Sequence, residues 1–380
     1  MGNVFEPQCG QGCSRPPVGS DEGEAFLAAK YDTDVFPQQL GQGNFSKAYI
    51  CWRRGNRSHK YALKVFVSAN EGVEHAMNEI RVLQHLGSHP RIISLIDVDS
   101  EDPRNMRLVL ELCAGGQLFD RLEAKGRYEE PEAAGIVMQI LEALVYMHGK
   151  GVMHRDLKPE NILMISATSE VDIKVCDFGI AKLADQVHIF SGSHLKPLQG
   201  SVTISTAPAL PRSNSFKGSD FYLAPEMIRQ EEYGSEVDLW ALGVTSYCLL
   251  SASMPFVGEG GCDDLRGTYR KIVQRDFSFE KEAFDETSSE AKEFISRLLS
   301  LEPRQRPKAT QAMLLSWITG FALKGLTSAQ ITEEDDDGDD EDDSDDHDPE
   351  DEEVDDEDAN EPQGCIMHER LENKHDTCDF

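Results

Sequence analysis

Several features that mark large classes of proteins are missing from this chain of 380 residues. No apolar run approaches the ~18 residues that a membrane-spanning helix needs, so none is predicted. The nine cysteines include no pair of Cys-x-x-Cys units, which argues against a structural zinc site. Because their number is odd and no secretory signal accompanies them, we expect reduced thiols. A cytoplasmic location is predicted, with the nucleus as an alternative and the membrane periphery as a less favoured one.

Basic residues are also scarce, but the resulting negative charge is unevenly distributed. The formal net charge is −32, and residues 333–358 hold 21 Asp or Glu and no Lys or Arg. The rest of the chain therefore carries only −11, which is unremarkable for its length. A nucleic-acid-binding surface would need clustered Lys and Arg, so we expect no nucleic-acid partner.

Both ends of the chain have the composition of disordered extensions. Residues 1–30 carry Gly, Pro and polar residues without periodicity, and residues 319–380 include the acidic run 333–358, which repels itself. This run could bind a basic protein partner or serve as a solvated spacer.

The first residues could also carry a lipid. Gly2, Cys9 and Cys13 are potential acylation sites, but Glu6 stands where the acylation motif requires Ser or Thr. Membrane contact through acylation is therefore one interpretation, and an unmodified leader is the other.

Residues 31–318 have the patterns of a single large domain with two different parts. The first part contains β-rich runs, with predicted strands at 60–67 and 106–112 around a helical pattern at 73–86. The second part is helical, with predicted helices at 131–148, 235–251, 288–301 and 309–318. These patterns predict an α+β fold of two lobes with a ligand cleft between them.

The octapeptide His-Arg-Asp-Leu-Lys-Pro-Glu-Asn at residues 154–161 carries the strongest chemical signal. The carboxylate of Asp156 can orient a hydroxyl, Lys158 can meet a phosphate, and the amide oxygen of Asn161 can bind a metal ion. This contiguous sequence of eight residues has almost no chance of arising from the composition of the chain alone. They point to phosphoryl transfer.

Three shorter motifs gain meaning from their order around the octapeptide. Gly41 and Gly43 precede a strand and would let backbone amides approach phosphates, while Lys64 lies in the next apolar strand and could pair with Glu79. Asp177-Phe178-Gly179 follows the octapeptide and supplies an oxygen ligand suited to Mg²⁺. Ala224-Pro225-Glu226 comes last.

In this order the motifs resemble those of the eukaryotic protein kinases, most closely the calcium/calmodulin-dependent group, over about three quarters of the chain. The resemblance implies the bilobal kinase fold, with a small β-rich N-lobe, a larger helical C-lobe and an ATP cleft between them. It implies transfer of the ATP γ-phosphate to protein substrates, with Mg²⁺, or Mn²⁺ in its place, as cofactor.

The resemblance also implies a role for each matching residue. Asp156 would be the catalytic base, Lys158 would steady the γ-phosphate, Lys64 would hold the α- and β-phosphates and pair with Glu79, and Asn161 and Asp177 would bind metal. The residues that would surround ATP, besides Lys64, are Leu40, Gly41, Gly43, Ala48, Ala62, Glu111, Cys113 and Leu163. Structural roles are implied for the stack of Leu83, Leu95, His154 and Phe178, for Asp238 below the catalytic loop, and for the ion pair of Glu226 and Arg306.

Substrate preference is implied by a second set of residues. Lys158 and Ser219 match the serine/threonine kinases rather than the tyrosine kinases. Glu160 matches an acidic residue that reads a basic substrate, but Gln117 stands where relatives usually have a second such Glu. Asp220 replaces a common proline, which leaves the preference just after the acceptor open. A basic-directed Ser/Thr kinase is expected.

The segment between Asp177 and Ala224 is much longer than usual, with an insertion at 184–214. Ser215 keeps the spacing of an activation phosphosite, and Arg155, Lys182 and His75 stand where relatives gather cations around the phosphate. Phosphorylation of Ser215 is therefore a hypothesis for regulation. The alternative is that Ser215 is one loop serine among many.

No basic amphipathic calmodulin target follows residue 318, so calmodulin is not an expected partner despite the resemblance. Two other functions remain to be weighed: a pseudokinase scaffold, and an interaction protein whose acidic tail is the functional part. Both are less favoured because Lys64, Glu79, Asp156, Asn161 and Asp177 are all present.

Overall fold

The computed structural model describes residues 30–33, 38–66, 71–99, 106–183, 219–280 and 282–321. Residues 1–29 and 322–380 of the predicted extensions, the insertion 184–214 and Ser215 lie outside the described residues. The helical segment at the end of the domain extends to residue 321, three residues beyond the predicted boundary at 318.

A twisted antiparallel sheet forms the first lobe. Its strands are β1 (Tyr31–Asp32), β2 (Gln39–Gln42), β3 (Ser46–Arg53), β4 (Asn56–Phe66), β5 (Leu95–Asp99) and β6 (Arg107–Glu111). They are ordered β1-β3-β4-β6-β5, and β2 also pairs with β3. The register places Lys64 opposite Ala48 on one side and opposite Leu108 on the other, so the cation is held in the middle of the sheet.

The helix α1 (Glu71–Leu86) packs on this sheet through one apolar face. Its buried residues include Ala76, Glu79, Ile80 and Leu83, which recur at three- and four-residue spacing. Glu79 is a carboxylate on the buried face of the helix, and such a group needs a partner.

The second lobe is mainly helical. Its helices are α2 (Leu118–Lys125), α3 (Glu130–Gly149), α4 (Pro225–Ile228), α5 (Glu236–Ser251), α6 (Leu265–Gln274), α7 (Ser289–Leu298) and α8 (Ala309–Ala312). Short strands β7 (Val152–Met153), β8 (Ile162–Met164), β9 (Ile173–Val175) and β10 (Lys182–Leu183) pair as β8-β9 and β7-β10. Helix α5 is buried from Val237 to Leu250, and α3 and α7 pack around it, so it forms the centre of this lobe.

Two polar clusters fasten the helical lobe. Arg306 and Glu226 form a buried bidentate ion pair with Nη–Oε distances of 2.6 and 2.8 Å. At the start of α3, Glu130 accepts hydrogen bonds from the hydroxyl of Ser288 and from the indole Nε1 of Trp317, which lies 3.0 Å away. The second contact ties the end of the described chain to the main helical core.

The bilobal α+β prediction is confirmed, whereas one predicted helix is wrong in detail. The segment 309–318 is helical only at 309–312 and again from 316, because backbone amides of Leu314 and Leu315 bond three residues back and form a turn. This turn delivers Trp317 to Glu130. No described helix is long and apolar enough to cross a membrane.

Candidate active site

The catalytic loop is positioned from below by a buried aspartate of α5. Both carboxylate oxygens of Asp238 accept backbone N–H groups, from His154 at 2.9 Å and from Arg155 at 2.8 Å. His148 of α3 adds a third contact at 2.9 Å. Burial alone would raise the pKa of Asp238, but these donors outweigh it and lower the pKa. The loop is therefore fixed by a carboxylate that stays ionised.

The octapeptide converges on the carboxylate of Asp156. Lys158 Nζ lies 2.9 Å and Asn161 Nδ2 also 2.9 Å from Asp156 Oδ2. Asn161 Nδ2 bonds the carbonyl of Asp156 as well, which leaves the amide oxygen of Asn161 as its metal-binding atom. One short turn thus holds a carboxylate, a cation and an oxygen ligand together.

A second cluster forms where β4, α1 and the start of the Asp-Phe-Gly segment meet. Lys64 Nζ lies 2.6 Å from Glu79 and 3.1 Å from Asp177. Burial would lower the pKa of Lys64, but Asp177 and Glu79 outweigh it and raise the pKa. For Asp177, burial is in turn outweighed by Lys64, and its pKa falls to about 2. Burial raises the pKa of Glu79, against the opposing effect of Lys64. Lys64 and Asp177 are charged near neutral pH.

Phe178 carries the link between the lobes. Its ring is fully buried and meets the ring of His154 edge-on at 5.0 Å. Leu83 and Leu95 belong to the same apolar cluster, so the four residues predicted to stack are all part of one core. Because Phe178 is packed inward, Asp177 is held facing Lys64 rather than turned away.

The oxygen ligands suit a metal ion that arrives with a phosphate. No group of three or more His, Cys, Asp or Glu with metal-binding geometry occurs in the part of the chain that the structure describes. Asp177 and Asn161 supply one carboxylate and one amide oxygen, and Mg²⁺ completes its shell with water and substrate phosphates. The residues fit Mg²⁺ bound together with a nucleotide better than a resident metal.

Comparison with known proteins agrees with this geometry. The model of the protein kinase domain matches residues 35–318, about three quarters of the chain. The chain belongs to the protein kinase domain family. Its most similar relatives are serine/threonine kinases, and this protein is a serine/threonine kinase as well.

Three relatives illustrate the extent of the similarity. A calcium/calmodulin-dependent protein kinase type 1 of Macrobrachium nipponense is 35% identical over 304 residues, which are 80% of this chain and 79% of the relative. The type 1B enzyme of Rattus norvegicus is 37% identical over 75% of each chain. The human type IV enzyme is 35% identical over 85% of this kinase but only 64% of its own length.

The predicted nucleotide contacts of the kinase come from both lobes. Ala48 and Ala62 are on the neighbouring strands β3 and β4, and Leu163 is on β8 of the second lobe. Leu40 is 41% exposed at the rim. A Cβ at Gly41 would meet no heavy atom within 4 Å, so internal packing does not require glycine there, and a close approach by a ligand would explain it.

Residues 111–113 form the hinge that the resemblance predicts to meet adenine. Its two predicted contact residues, Glu111 and Cys113, have different surroundings. The carboxylate of Glu111 is occupied by Lys174 Nζ at 2.9 Å and by the backbone N–H of Ser94 at 2.6 Å, which leaves its backbone for the nucleotide. Cys113 is a free thiol whose pKa burial raises to about 12. Cys113 therefore enters the site as an apolar surface rather than as a nucleophile.

Two positioning residues were missed by the sequence reasoning. Lys174 fixes the hinge residue Glu111 to strand β9, three residues before Asp177. Asn78, beside Glu79, donates its side-chain amide to the carbonyls of Phe178, Gly179 and Ala181, at 2.8 Å to the last. The sequence at 173–175 places a lysine between two apolar residues, a pattern that could have indicated Lys174. No pattern in the sequence indicates the role of Asn78.

The three residues predicted to bind an activating phosphate, Arg155, Lys182 and His75, have different surroundings. Arg155 has φ 68° and donates to the hydroxyl of Tyr233, while its buried Nε has no hydrogen-bond partner among the described residues. Lys182 lies on β10, beside the catalytic loop. His75 instead stacks on Phe45 at 4.3 Å, and burial lowers its pKa, so it is neutral at pH 7.

The predicted substrate-reading residues lie on separate segments of the chain. Ser219 begins a short turn at 219–222. Asp220 accepts a hydrogen bond of 2.7 Å from the hydroxyl of Tyr269 on α6. The carboxylate of Glu160 has a buried oxygen, and Gln117 contributes a backbone bridge to Leu163.

Proposed function

We propose that this kinase transfers the γ-phosphoryl group of ATP, bound with Mg²⁺, to Ser or Thr of protein substrates that carry basic residues near the acceptor. The observation that carries the proposal is the convergence of Lys158 and Asn161 on Asp156, with Asp177 held by Lys64. Together they supply the carboxylates, cations and amide oxygen that the reaction requires.

Transfer follows from these positions. Asp156 orients the substrate hydroxyl and accepts its proton as the oxygen bonds to the γ-phosphorus and the bond to the β–γ bridging oxygen breaks. Lys158, beside Asp156, meets the charge on the transferring group. Lys64 holds the other phosphates, and its pairing with Glu79 fixes it for that contact. Asn161 and Asp177 would bind Mg²⁺, which neutralises phosphate charge when present.

The test compares the wild-type kinase with Asp156→Asn on a library of Ser and Thr peptides. Asp156→Asn should reduce phosphate transfer by at least about a hundredfold while nucleotide binding, measured by calorimetry, is retained. The pseudokinase scaffold predicts equal, background transfer by both proteins. Transfer that is equal and well above background would show that another residue is the base.

The preference for basic substrates is supported by two carboxylates beside the acceptor turn. Glu160 lies in the catalytic loop, and Asp220 follows Ser219 directly and is held by Tyr269. Each carboxylate is partly shielded from water, where a charge-assisted contact to Lys or Arg gains strength. We infer that Glu160 selects a basic residue before the acceptor and Asp220 one just after it.

The same peptide library separates these contributions. Glu160→Gln should weaken the selection of basic residues before the acceptor, and Asp220→Asn should weaken it after the acceptor, each by about tenfold. Tyr269→Phe removes only the hydroxyl that holds Asp220, so it should give a smaller loss at the same position. An unchanged preference in all three variants would contradict the assignment.

We further propose that phosphorylation of Ser215 activates the kinase. Ser215 lies outside the described residues, but the buried Nε of Arg155, which has no hydrogen-bond partner within the ranges that the structure describes, is a site that a phosphate could satisfy. A phosphate there would also reach toward Lys182, from which the chain leads back to the Asn78 contacts beside Glu79. The Lys64–Glu79 pair is already formed in the structure, so the phosphate would hold this state rather than create it.

Ser215→Ala tests this proposal, with Ser213→Ala as the matched control from the same loop. Ser215→Ala should lower kcat severalfold in protein phosphorylated before the assay, and Ser213→Ala should not. Full activity of Ser215→Ala would refute it.

Dependence on calmodulin, which the names of the relatives carry, is not part of the proposal. Support comes from residues 319–331, which hold one Lys and no basic amphipathic pattern. Activity should therefore be the same with calcium and calmodulin as with chelator. Stimulation by calmodulin would contradict this part.

A further inference from the structure

The turn between β3 and β4 carries a cluster of positive charge that the proposed function does not use. Residues 53–60, which we name the basic hairpin, contain Arg53, Arg54, Arg57 and Lys60 together with His59. All eight residues are exposed. No Asp or Glu occurs anywhere between residues 35 and 70, so the positive charge is not neutralised within its own segment.

The contacts of the basic hairpin with other described residues leave its side chains at the surface. Arg54 forms an ion pair with Asp32 at 3.2 Å but remains 60% exposed. The guanidinium of Arg57 lies over the ring of Trp52 at 4.5 Å, which orients this exposed side chain. The net charge of the chain is −32, so the positive charge of this surface has the opposite sign to that of the protein as a whole.

The strongest complement to the basic hairpin lies in the same chain. The acidic run 333–358 holds 21 carboxylates and no cation. It begins twelve residues after Phe321, where the described residues end. An extended chain covers at most about 3.5 Å per residue, so its midpoint can lie as far as ~80 Å from Phe321. A domain of this size is only ~50 Å across, so the hairpin is within reach.

The surface near the end of the described chain is a poor alternative. Glu290 and Glu293 lie beside Leu314 and Ser316, where Arg297 pairs with Glu293 at 2.6 Å, and a second acidic group of Glu282, Asp285 and Glu286 surrounds Arg127. Each group keeps an excess of negative charge, which repels an acidic run that passes close to it. These two acidic groups therefore disfavour docking beside the point of attachment.

We propose that the acidic run 333–358 docks on the basic hairpin of the same chain. Covalent attachment gives the run a high effective concentration at the hairpin, which no separate partner shares. The contact is electrostatic and therefore weakens with salt. It does not rest on the proposed function, because a catalytically inactive chain would make it equally.

The test measures how fast phenylglyoxal modifies individual arginines of the full-length protein, read by mass spectrometry. The comparison protein is the full chain with every Asp and Glu of 333–358 changed to Asn and Gln. Arg266 and Arg304, which are exposed on the helical lobe, are internal controls. At about 50 mM salt, Arg53, Arg54 and Arg57 should react severalfold more slowly in the wild type than in the comparison protein. At about 500 mM salt, where the Debye length is below ~5 Å, the difference should vanish.

Three results would overturn the proposal. Equal rates in the two proteins at low salt would mean that the run does not cover the hairpin. Slower reaction of Arg266 and Arg304 as well would mean a diffuse attraction without a site. Protection of the hairpin arginines only after addition of phosphatidylserine vesicles would assign the hairpin to an anionic membrane surface instead.

Discussion

Two buried ion pairs, one in each lobe, have nearly the same geometry and different surroundings. Lys64 and Glu79 approach to 2.6 Å in the N-lobe, and Arg306 and Glu226 approach to 2.6 Å in the C-lobe. Arg306 is also bonded to backbone carbonyls of Ser300 and Glu236 and lies over the ring of Trp240. Lys64 lies over the ring of Phe66 at 5.4 Å and forms a second ion pair with Asp177, whose side chain is 47% exposed.

The difference separates a structural pair from a functional one. The guanidinium of Arg306 donates its hydrogen bonds to groups inside the helical lobe. The pair therefore serves to hold α4 against the segment after α7. Lys64 spans a strand, a helix and the metal-binding segment, and the third of these faces the cleft. Ion pairs of equal distance can thus be told apart by what else the cation touches.

Exchanging Lys64 for arginine should give the largest change in activity. Lys64→Arg keeps the charge beside Glu79 but places a planar guanidinium where a compact ammonium meets the phosphates. The value of kcat/KM should fall by about a hundredfold or more, while the free energy of unfolding changes by less than about 1 kcal/mol. Steady-state kinetics and urea unfolding measure the two effects.

The control for this exchange is Lys125→Arg, at a surface ion pair with Glu132, which should change neither quantity. If Lys64→Arg kept wild-type kinetics, the functional assignment of the pair would be lost.

The substitution Arg306→Lys should lower the stability of the protein without changing its catalytic activity. Arg306→Lys loses the bidentate contact to Glu226 and leaves carbonyls unsatisfied, which should cost about 2–4 kcal/mol of the free energy of unfolding. At low temperature the folded fraction should retain the wild-type KM for ATP. A stable Arg306→Lys protein with a raised KM would invert the comparison between the two pairs.

Lys174 tests whether an ion pair outside the cleft can act on the nucleotide. Lys174→Met frees the carboxylate of Glu111 and loosens the hinge. The KM for ATP should rise about fivefold, equivalent to about 1 kcal/mol, with little change in kcat. Equal loss in kcat and in nucleotide affinity would indicate general damage instead.

The smallest expected effect concerns the pH dependence of stability. Because burial lowers the pKa of His75, the unfolded chain binds more protons than the folded one once the pH falls below about 6.5. Stability from His75 is therefore full above that pH and is lost as the pH falls through the folded pKa. His75→Phe keeps a ring on Phe45 and should show a shallower loss in urea unfolding between about pH 7 and 5.

His89, which is partly buried and stacked on Tyr146 at 4.3 Å, gives the matched comparison through His89→Phe. An unchanged slope in His75→Phe would mean that the pKa of His75 is the same in the folded and the unfolded chain.

Much of the site could be predicted because several of its chemical groups belong to contiguous residues. The octapeptide 154–161 carries its carboxylate, cation and amide within one turn, so local geometry brings them together without help from the rest of the chain. The phosphosite Ser215 and the acidic run remain predictions, since they lie outside the described residues. The cationic role of His75 was expected from its position, but burial lowers the pKa of this ring, which stacks on Phe45, so it is neutral at pH 7.

The sequence by itself determined the two lobes, the order of the motifs and the acceptor class, because periodicity and residue type are local properties. Tertiary structure alone decided that Asp238 holds two amides 83 and 84 residues away, that Lys174 clamps Glu111, and that Asn78 binds the Asp-Phe-Gly segment. These contacts join elements far apart in the chain. Their partners are selected by packing and by the cost of leaving a buried polar group unpaired, which no local pattern records.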